Sequence, residues 1–129
     1  MADPGRQTTR SFKTQWFAKA AAKAGIDDGE LCRAIKQVIN GQGDDLGGGV
    51  FKKRLNRNMH RCIILGKGRR YWIYAYLFAK KDRDNIEDTE LKDFRKLAKI
   101  YEALSSKQLA RLLDDRDLTE ICHDDKAQV

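Results

Sequence analysis

The segment VFKKRLNRNMHRCIILGKGRRYWIYAYLFAK, residues 50–80, decides the fold. It contains three runs rich in β-branched and aromatic residues, which are typical of strands, at residues 50–56, 59–65 and 71–80. The two connections, RN and GKGRR, are short and carry turn-forming residues, as hairpin loops do. The segment therefore predicts a three-stranded antiparallel meander.

Two helices are predicted on the N-terminal side of the meander. TQWFAKAAAKAG, residues 14–25, has apolar residues at helical spacing and ends at a glycine. DDGELCRAIKQVING, residues 27–41, opens with Asp27 and Glu30 at capping-box spacing. Joined by a tight turn, the helices form a hairpin whose apolar stripes must be buried, and the sheet is the surface available to bury them.

The segments around these elements are weaker signals. RSFKT, residues 10–14, favours a short first strand, and GQGDDLGGG, residues 41–49, is predicted as a loop. Beyond the meander, apolar residues recur at helical spacing up to Leu104, and Ser105 and Gln108 form a capping-box pattern that opens a second, short helix. DLTEICHDD, which follows, favours a last short strand.

Together these elements predict an α+β fold in which an N-terminal helical hairpin packs on a small antiparallel β-sheet and C-terminal helices follow. A chain of 129 residues is long enough for one such core. We expect a single domain at residues 11–123, between a disordered leader at residues 1–10 and a polar tail at residues 124–129.

The cysteines and the hydropathy pattern bear on the compartment. Cys32, Cys62 and Cys122 are widely spaced, odd in number and outside any CxxC pattern, which favours reduced thiols over a disulfide or metal framework. No apolar run reaches the length of a membrane helix, and the first ten residues lack the apolar core of a secretion signal. We therefore predict a cytoplasmic protein without a membrane partner.

Positive charge is concentrated in the first two thirds of the chain. Residues 1–81 carry 17 Lys and Arg against 6 Asp and Glu, whereas residues 82–129 carry 9 against 13. Residues 50–81 contain ten basic residues and no acidic residue. A single-sign field of this kind attracts polyanions, and nucleic acid is the commonest such partner, although a solvated surface has the same composition.

The strand pattern predicts a basic face on the sheet. Side chains alternate along a strand, so Phe51 and Leu55 are expected to face the helical hairpin and Lys52 and Arg54 the open side. Arg61 opens the second strand of the meander. With neighbouring strands about 5 Å apart, we expect these cations to converge with those that close the third strand, Lys80, Lys81 and Arg83.

Such a cluster is suited to phosphodiester chemistry. An Arg fork can hold two phosphate oxygens, and crowded like charges disfavour the protonated form of any lysine among them. A neutral lysine could accept the proton of a ribose 2′-OH while a cation stabilises the pentavalent phosphorane, so RNA could be cleaved without a metal or cofactor. Phosphate binding without chemistry fits the same residues.

Further residues are candidates for RNA contact only. The aromatic residues of the third strand are expected to be mostly core, with Tyr71 and Tyr74 left as candidates for base stacking. His60 is either a surface histidine or a base. The predicted RNA-binding set is Lys53, Arg57, His60, Arg69, Arg70, Tyr71, Tyr74 and Arg83.

The stretches FKTQWFAKAAAKAGIDDGELCRAI, LGGGVFKKRL, HRCIIL and YLFAKKDRDNIEDTEL, in this order, resemble the RelE/HigB-type toxins of bacterial type II toxin–antitoxin systems. The likeness spans about residues 12–113, and its most specific pieces are LGGG-x-x-KKR and FAK-x-x-RDNI. It implies a compact toxin of the RelE/ParE superfamily, with a helical hairpin on an antiparallel sheet whose open face is basic.

The resemblance implies an mRNA endonuclease that acts at the ribosome by attack of the 2′-OH and needs no cofactor. By position in the motifs, the catalytic cations would be Lys52, Arg54, Arg61, Lys80 and Lys81, with Arg83 beside them. The best-understood members carry a base-stacking tyrosine shortly after the last cations, where this chain has Asn-Ile-Glu at residues 85–87. The expected partners are mRNA, the ribosome and a cognate antitoxin with a helix-turn-helix DNA-binding fold.

Two other functions remain open at this point. A ParE-like inhibitor of gyrase would share the fold, but such relatives lack the cationic strand residues seen here. A non-catalytic RNA-binding module would keep the basic face without cutting RNA.

Overall fold

A computed structural model describes residues 9–122. Its elements are β1 (Arg10–Thr14), α1 (Gln15–Ala24), α2 (Asp28–Ile39), β2 (Asp44–Gly47), β3 (Val50–Leu55), β4 (His60–Leu65), a 3-10 turn (Lys67–Arg69), β5 (Tyr71–Ala79), α3 (Asp88–Glu102), α4 (Ser106–Asp114) and β6 (Leu118–Ile121). The predicted tail and all but the last two residues of the predicted leader lie outside the described residues.

The six strands form one sheet in the order β2-β3-β4-β5-β1-β6. Strands β3, β4 and β5 are the predicted antiparallel meander. Strand β1 pairs in parallel with β5 and antiparallel with β6, so the two ends of the described chain lie side by side at one edge of the sheet.

The predicted fold class is wrong in its architecture. The fold is α+β, but the chain enters through a strand and not through a helical hairpin, and the sheet is a mixed sheet of six strands and not a small antiparallel one. The parallel pairing of β1 with β5 joins residues about 60 positions apart. A local sequence pattern cannot predict a pairing between residues so distant in the chain. The segment 41–49 is likewise not all loop, because Asp44–Gly47 forms β2 at the other edge.

Both faces of the sheet are covered, which the prediction of an open face did not anticipate. Helices α1 and α2 pack on one face, where their core includes Phe17, Leu31, Leu55, Ile64 and Trp72. Helices α3 and α4 pack on the other, with a core that includes Val50, Ile63, Leu65, Ala98 and Leu109. Since Val50 and Leu65 are buried on this second face, the region that stays open lies at the far end of β3 and the start of β4.

The glycine triplet before β3 makes a tight turn. Gly47, Gly48 and Gly49 all have positive φ, at 87°, 67° and 84°, a conformation that other residues adopt at a cost. A Cβ at Gly49 would lie 2.3 Å from the Cβ of Lys67. Arg95 of α3 donates hydrogen bonds to the carbonyl oxygens of Leu46 and Gly47. The turn therefore docks β2 against α3.

The expectation of three reduced thiols is also wrong. Cys32 of α2 and Cys122, directly after β6, form a disulfide across 90 positions of sequence. Only the folded chain brings these two residues together, which is why their spacing carried no signal. Cys62 is free and fully buried, and burial raises the pKa of its thiol. None of the helices within residues 9–122 is long and apolar enough to cross a membrane.

Candidate nucleic-acid interface

Two arginines face each other across the meander. Arg54 of β3 is the register partner of Arg61 of β4, so both side chains lie on the same face of the sheet. Lys52 lies on that face two residues earlier, and Phe51 and Leu55 point to the helical hairpin, as predicted. Like charges directly opposite each other destabilise a sheet. A bound anion between the two guanidinium groups would therefore relieve their repulsion.

A depression of about 220 Å³ lies beside this pair. Its lining combines four cations with residues that lead into β2, namely Lys52, Lys53, Arg54, Arg61, Gln42, Gly43 and Asp44. The Lys53 ammonium donates to the Gln42 carbonyl oxygen at 3.4 Å. Lys52 is half-buried, and no hydrogen bond from its ammonium is seen within residues 9–122. Lys52 is thus the lysine that can turn to a bound group.

Arg61 is held in place by the end of its own hairpin. Its Nη1 donates to the carbonyl oxygens of Asn58 and His60 at 3.0 and 3.2 Å. Asn56, Arg57 and Asn58 all have positive φ, so the hairpin end coils tightly enough to present these carbonyls. The other side of the Arg61 fork remains for a ligand, and a pre-positioned fork loses less entropy on binding phosphate.

Lys80 and Lys81 do not line this depression. They line a separate groove of about 710 Å³ at the end of the sheet, together with Arg57, Met59, His60 and Asp84 among others. His60 is oriented there by a contact of 3.1 Å between its Nδ1 and the Asn56 amide nitrogen. The cations expected to converge are therefore divided between this groove, whose lining includes the end of the β3–β4 hairpin, and the depression beside Arg54 and Arg61.

Arg83 lines neither the depression nor the groove and is already paired. Its guanidinium binds both carboxylate oxygens of Glu90 and donates to the Tyr76 hydroxyl at 3.3 Å. The pKa of Glu90 is lowered, chiefly by the hydrogen bond from Arg83. The guanidinium also lies over the rings of Tyr76 and Phe78. In this arrangement the Arg83 guanidinium contacts Glu90 and two aromatic rings and is not open to a phosphate.

Four of the predicted RNA contacts have structural partners at the other end of β5 or in the core. Arg69 lies over the Trp72 ring and donates to the Ile39 carbonyl, and Arg70 lies over the Tyr71 ring and donates to the Leu104 carbonyl. Tyr71 is 7% exposed and Tyr74 is fully buried.

Tyr74 is fixed from within. Its hydroxyl donates to the Leu31 carbonyl of α2 at 2.5 Å, and burial raises the pKa of the phenol. Tyr74 therefore offers no ring to solvent for a base to stack on, and the Tyr71 ring is covered by Arg70.

Sequence reasoning missed two residues, one that lines the depression and one that packs on an aromatic side chain of β5. Asp44 lies directly opposite Lys52, on a strand that was predicted as loop. Trp16, assigned to the apolar stripe of α1, is half-exposed and stacks on Tyr76. Its position in the first turn of a helix, directly after a strand, was the sequence signal that could have indicated an exposed Trp16. No group of three or more His, Cys, Asp and Glu within residues 9–122 is placed to hold a metal ion.

The sequence of the chain matches the model of a known protein family. The sequence model of the family described as RelE toxin of RelE / RelB toxin-antitoxin system matches residues 9–121. No curated protein matches the chain. The family match covers nearly all the described residues and confirms the resemblance of the motifs. The chain therefore belongs to the RelE toxin family, the toxins of toxin–antitoxin systems.

Proposed function

We propose that this toxin is an mRNA endoribonuclease that inhibits translation. Membership of the family implies a toxin with an antitoxin partner, and toxins of this family are generally endoribonucleases. The observation that carries the proposal is the Arg54–Arg61 pair, directly opposed across two strands beside a depression that also holds Lys52. The two arginines can offset the negative charge that develops on a phosphorane, and Lys52 lies beside them.

The proposed reaction is an internal transfer. The ribose 2′-oxygen bonds to the adjacent phosphorus, and we assign Lys52 as the residue that accepts its proton. Arg54 and Arg61 stabilise the charge that develops on the phosphorane oxygens. The bond from phosphorus to the 5′-oxygen then breaks, that oxygen takes up a proton from water, and Lys52 returns its proton to the solvent. The products are a 2′,3′-cyclic phosphate and a 5′-hydroxyl, and side chains supply both the proton acceptor and the charge.

The second groove gives the RNA a continuous path. Arg57, Lys80 and Lys81 line it, and the fixed Arg61 lies at the hairpin end between this groove and the depression. We assign Lys80 and Lys81 to the flanking phosphates and not to the cleaved one. Each phosphate contact neutralised by such a cation steepens the salt dependence of binding.

The setting is part of the proposal. We propose that the protein acts in the cytoplasm on mRNA bound to the ribosome. We further propose that its antitoxin is a helix-turn-helix DNA-binding protein. An antitoxin with an acidic surface would complement the basic end of the sheet.

The test is to induce the chain alone in bacteria and to map new 5′ ends across cellular transcripts. Arg61→Ala removes the fixed fork, and Arg111→Ala, an exposed arginine of α4, is the matched control. We expect in-frame cuts within translated regions for the wild type and Arg111→Ala, and at least a 100-fold loss for Arg61→Ala, as for removal of a transition-state donor.

Two outcomes would point to other functions. Growth arrest with intact transcripts and a DNA-damage response would indicate a gyrase inhibitor. RNA binding with steep salt dependence but no cleavage and no growth arrest would indicate a non-catalytic module. Equal cleavage by Arg61→Ala and the wild type would show that the depression is not the active site.

A further inference from the structure

Trp16 is a large apolar side chain left in solvent beside the basic face. It is the second residue of α1, and half of its surface is exposed. Its ring stacks on Tyr76 of β5, with centroids 5.1 Å apart and an interplanar angle of 29°. The hydroxyl of Thr14 caps α1 by accepting from the Phe17 N–H. The first turn, and with it the indole, is therefore fixed relative to the sheet.

The indole belongs to an aromatic row that ends at the arginines. Tyr76 packs on Phe78, with centroids 5.7 Å apart. Phe78 is the register partner of Arg61, which in turn is the partner of Arg54. Neighbouring strands are about 5 Å apart, so the row leads from the exposed indole to Arg61 and Arg54 across the three strands β5, β4 and β3.

Tyr76 is held firmly as the support of this indole. Phe94 of α3 packs on it at 5.9 Å between centroids, and Arg83 donates to its hydroxyl while lying over its ring. Arg83 is itself fixed by Glu90. A rigid, supported ring with its other surface in solvent loses little freedom when a second ring stacks on it.

We infer that the Trp16–Tyr76 stack is a platform for a nucleobase of the RNA whose backbone lies on Arg54 and Arg61. This inference rests on the proposed function. Base–aromatic stacking tolerates any base, because every base has a π-face. The platform would therefore add affinity and set the position of the strand without selecting a sequence.

Binding of an uncleavable RNA tests the platform. The probes are a fully 2′-O-methylated oligoribonucleotide, which has no free 2′-OH, and the same backbone with abasic central residues. We expect Trp16→Ala to bind the base-containing probe about 5- to 150-fold more weakly, corresponding to ~1–3 kcal/mol per stacked base. Its affinity for the abasic probe should equal that of the wild type, and Trp16→Phe should restore most of the loss.

Arg61→Ala, measured alongside, separates the platform from the phosphate site. It should weaken both probes. If it does so while Trp16→Ala binds both probes as the wild type does, the platform is wrong and the proposed function stands. If the wild type binds neither probe, the platform is overturned, and the mapping of transcript ends decides the proposed function separately.

Tryptophan fluorescence of the wild type tests the platform without any variant, so the result does not depend on whether a variant folds. Trp16 and Trp72 are the two tryptophans of the chain, and Trp72 is fully buried. Base stacking on Trp16 should quench part of the tryptophan emission with the base-containing probe and not with the abasic one. Equal emission with both probes would overturn the platform.

Discussion

Arg83 and Glu90 form a two-point ion pair that ties the segment after β5 to the first turn of α3. The Nη2–Oε1 and Nη1–Oε2 distances are 2.5 and 3.1 Å. Glu90 Oε1 also accepts from the Glu87 N–H in a reciprocal capping box. One carboxylate thus stabilises both a helix start and the guanidinium that covers Tyr76 and Phe78.

Glu90→Gln should lower the melting temperature at neutral pH. The pKa of Glu90 is lowered in the folded state, so its contribution is present above the ordinary carboxyl pKa and is lost as the pH falls through the lower, folded-state value. The difference in melting temperature between wild type and variant should therefore shrink in acid. Thermal unfolding at pH 7 and pH 3 measures it, and a difference that grows in acid would contradict the assignment.

Reduction of the disulfide should destabilise the protein. The Cys32–Cys122 bond closes a loop of 90 positions, and removal of a native disulfide costs about 2–5 kcal/mol. Cys32→Ser and the wild type in reductant should lose similar stability in denaturant titrations. Cys62→Ser is not a suitable control because Cys62 is buried, so Cys122→Ser serves as the matched variant. Unchanged stability of all three would show that the bond contributes nothing.

Asp44→Asn should strengthen RNA binding. Asp44 faces Lys52 across β2 and β3 and lines the depression, where its charge repels phosphate. Removing an exposed charge of this kind should tighten binding roughly two- to fivefold, and the gain should fade at high salt. Titration of the uncleavable RNA at two salt concentrations measures this, with exposed Asp93→Asn of α3 as control. Weaker binding by Asp44→Asn would contradict the assignment.

Tyr74→Phe should separate stability from RNA binding. The variant loses the hydrogen bond to the Leu31 carbonyl, and a bond of this kind contributes about 0.5–1.5 kcal/mol. Because the ring is fully buried, affinity for RNA should stay at the wild-type value. Chemical unfolding and RNA titration of the same preparation measure both quantities. Weaker RNA binding at unchanged stability would place Tyr74 in the interface.

Much of the local structure was readable in the sequence. The meander, both N-terminal helices and the Asp27 and Ser105 caps occur where their patterns indicate, because strand alternation and capping act between residues close in sequence. The alternation along β3 also predicted which side of the strand carries Lys52 and Arg54.

The composition of the site was less readable. Lys80 and Lys81 directly follow β5, the strand that pairs with the strand of Arg61. They nevertheless line another groove, together with the end of the β3–β4 hairpin. The sequence suggests that Arg83 is a cation available to RNA, whereas in the structure its charge is paired with Glu90. Whether a charge is free depends on which acid the fold brings to it, and Glu90 reaches Arg83 only because α3 begins beside β5.

The sequence by itself determined the type of the main elements other than β2, the excess of positive charge and the alternation of the β3 side chains, all of which follow from neighbours within a few residues. Only the tertiary structure decided that Cys32 meets Cys122, that Asp44 faces Lys52 and that Trp16 stacks on Tyr76. These pairs depend on strand register and helix docking, which are set by burial over the whole sheet and not by local pattern.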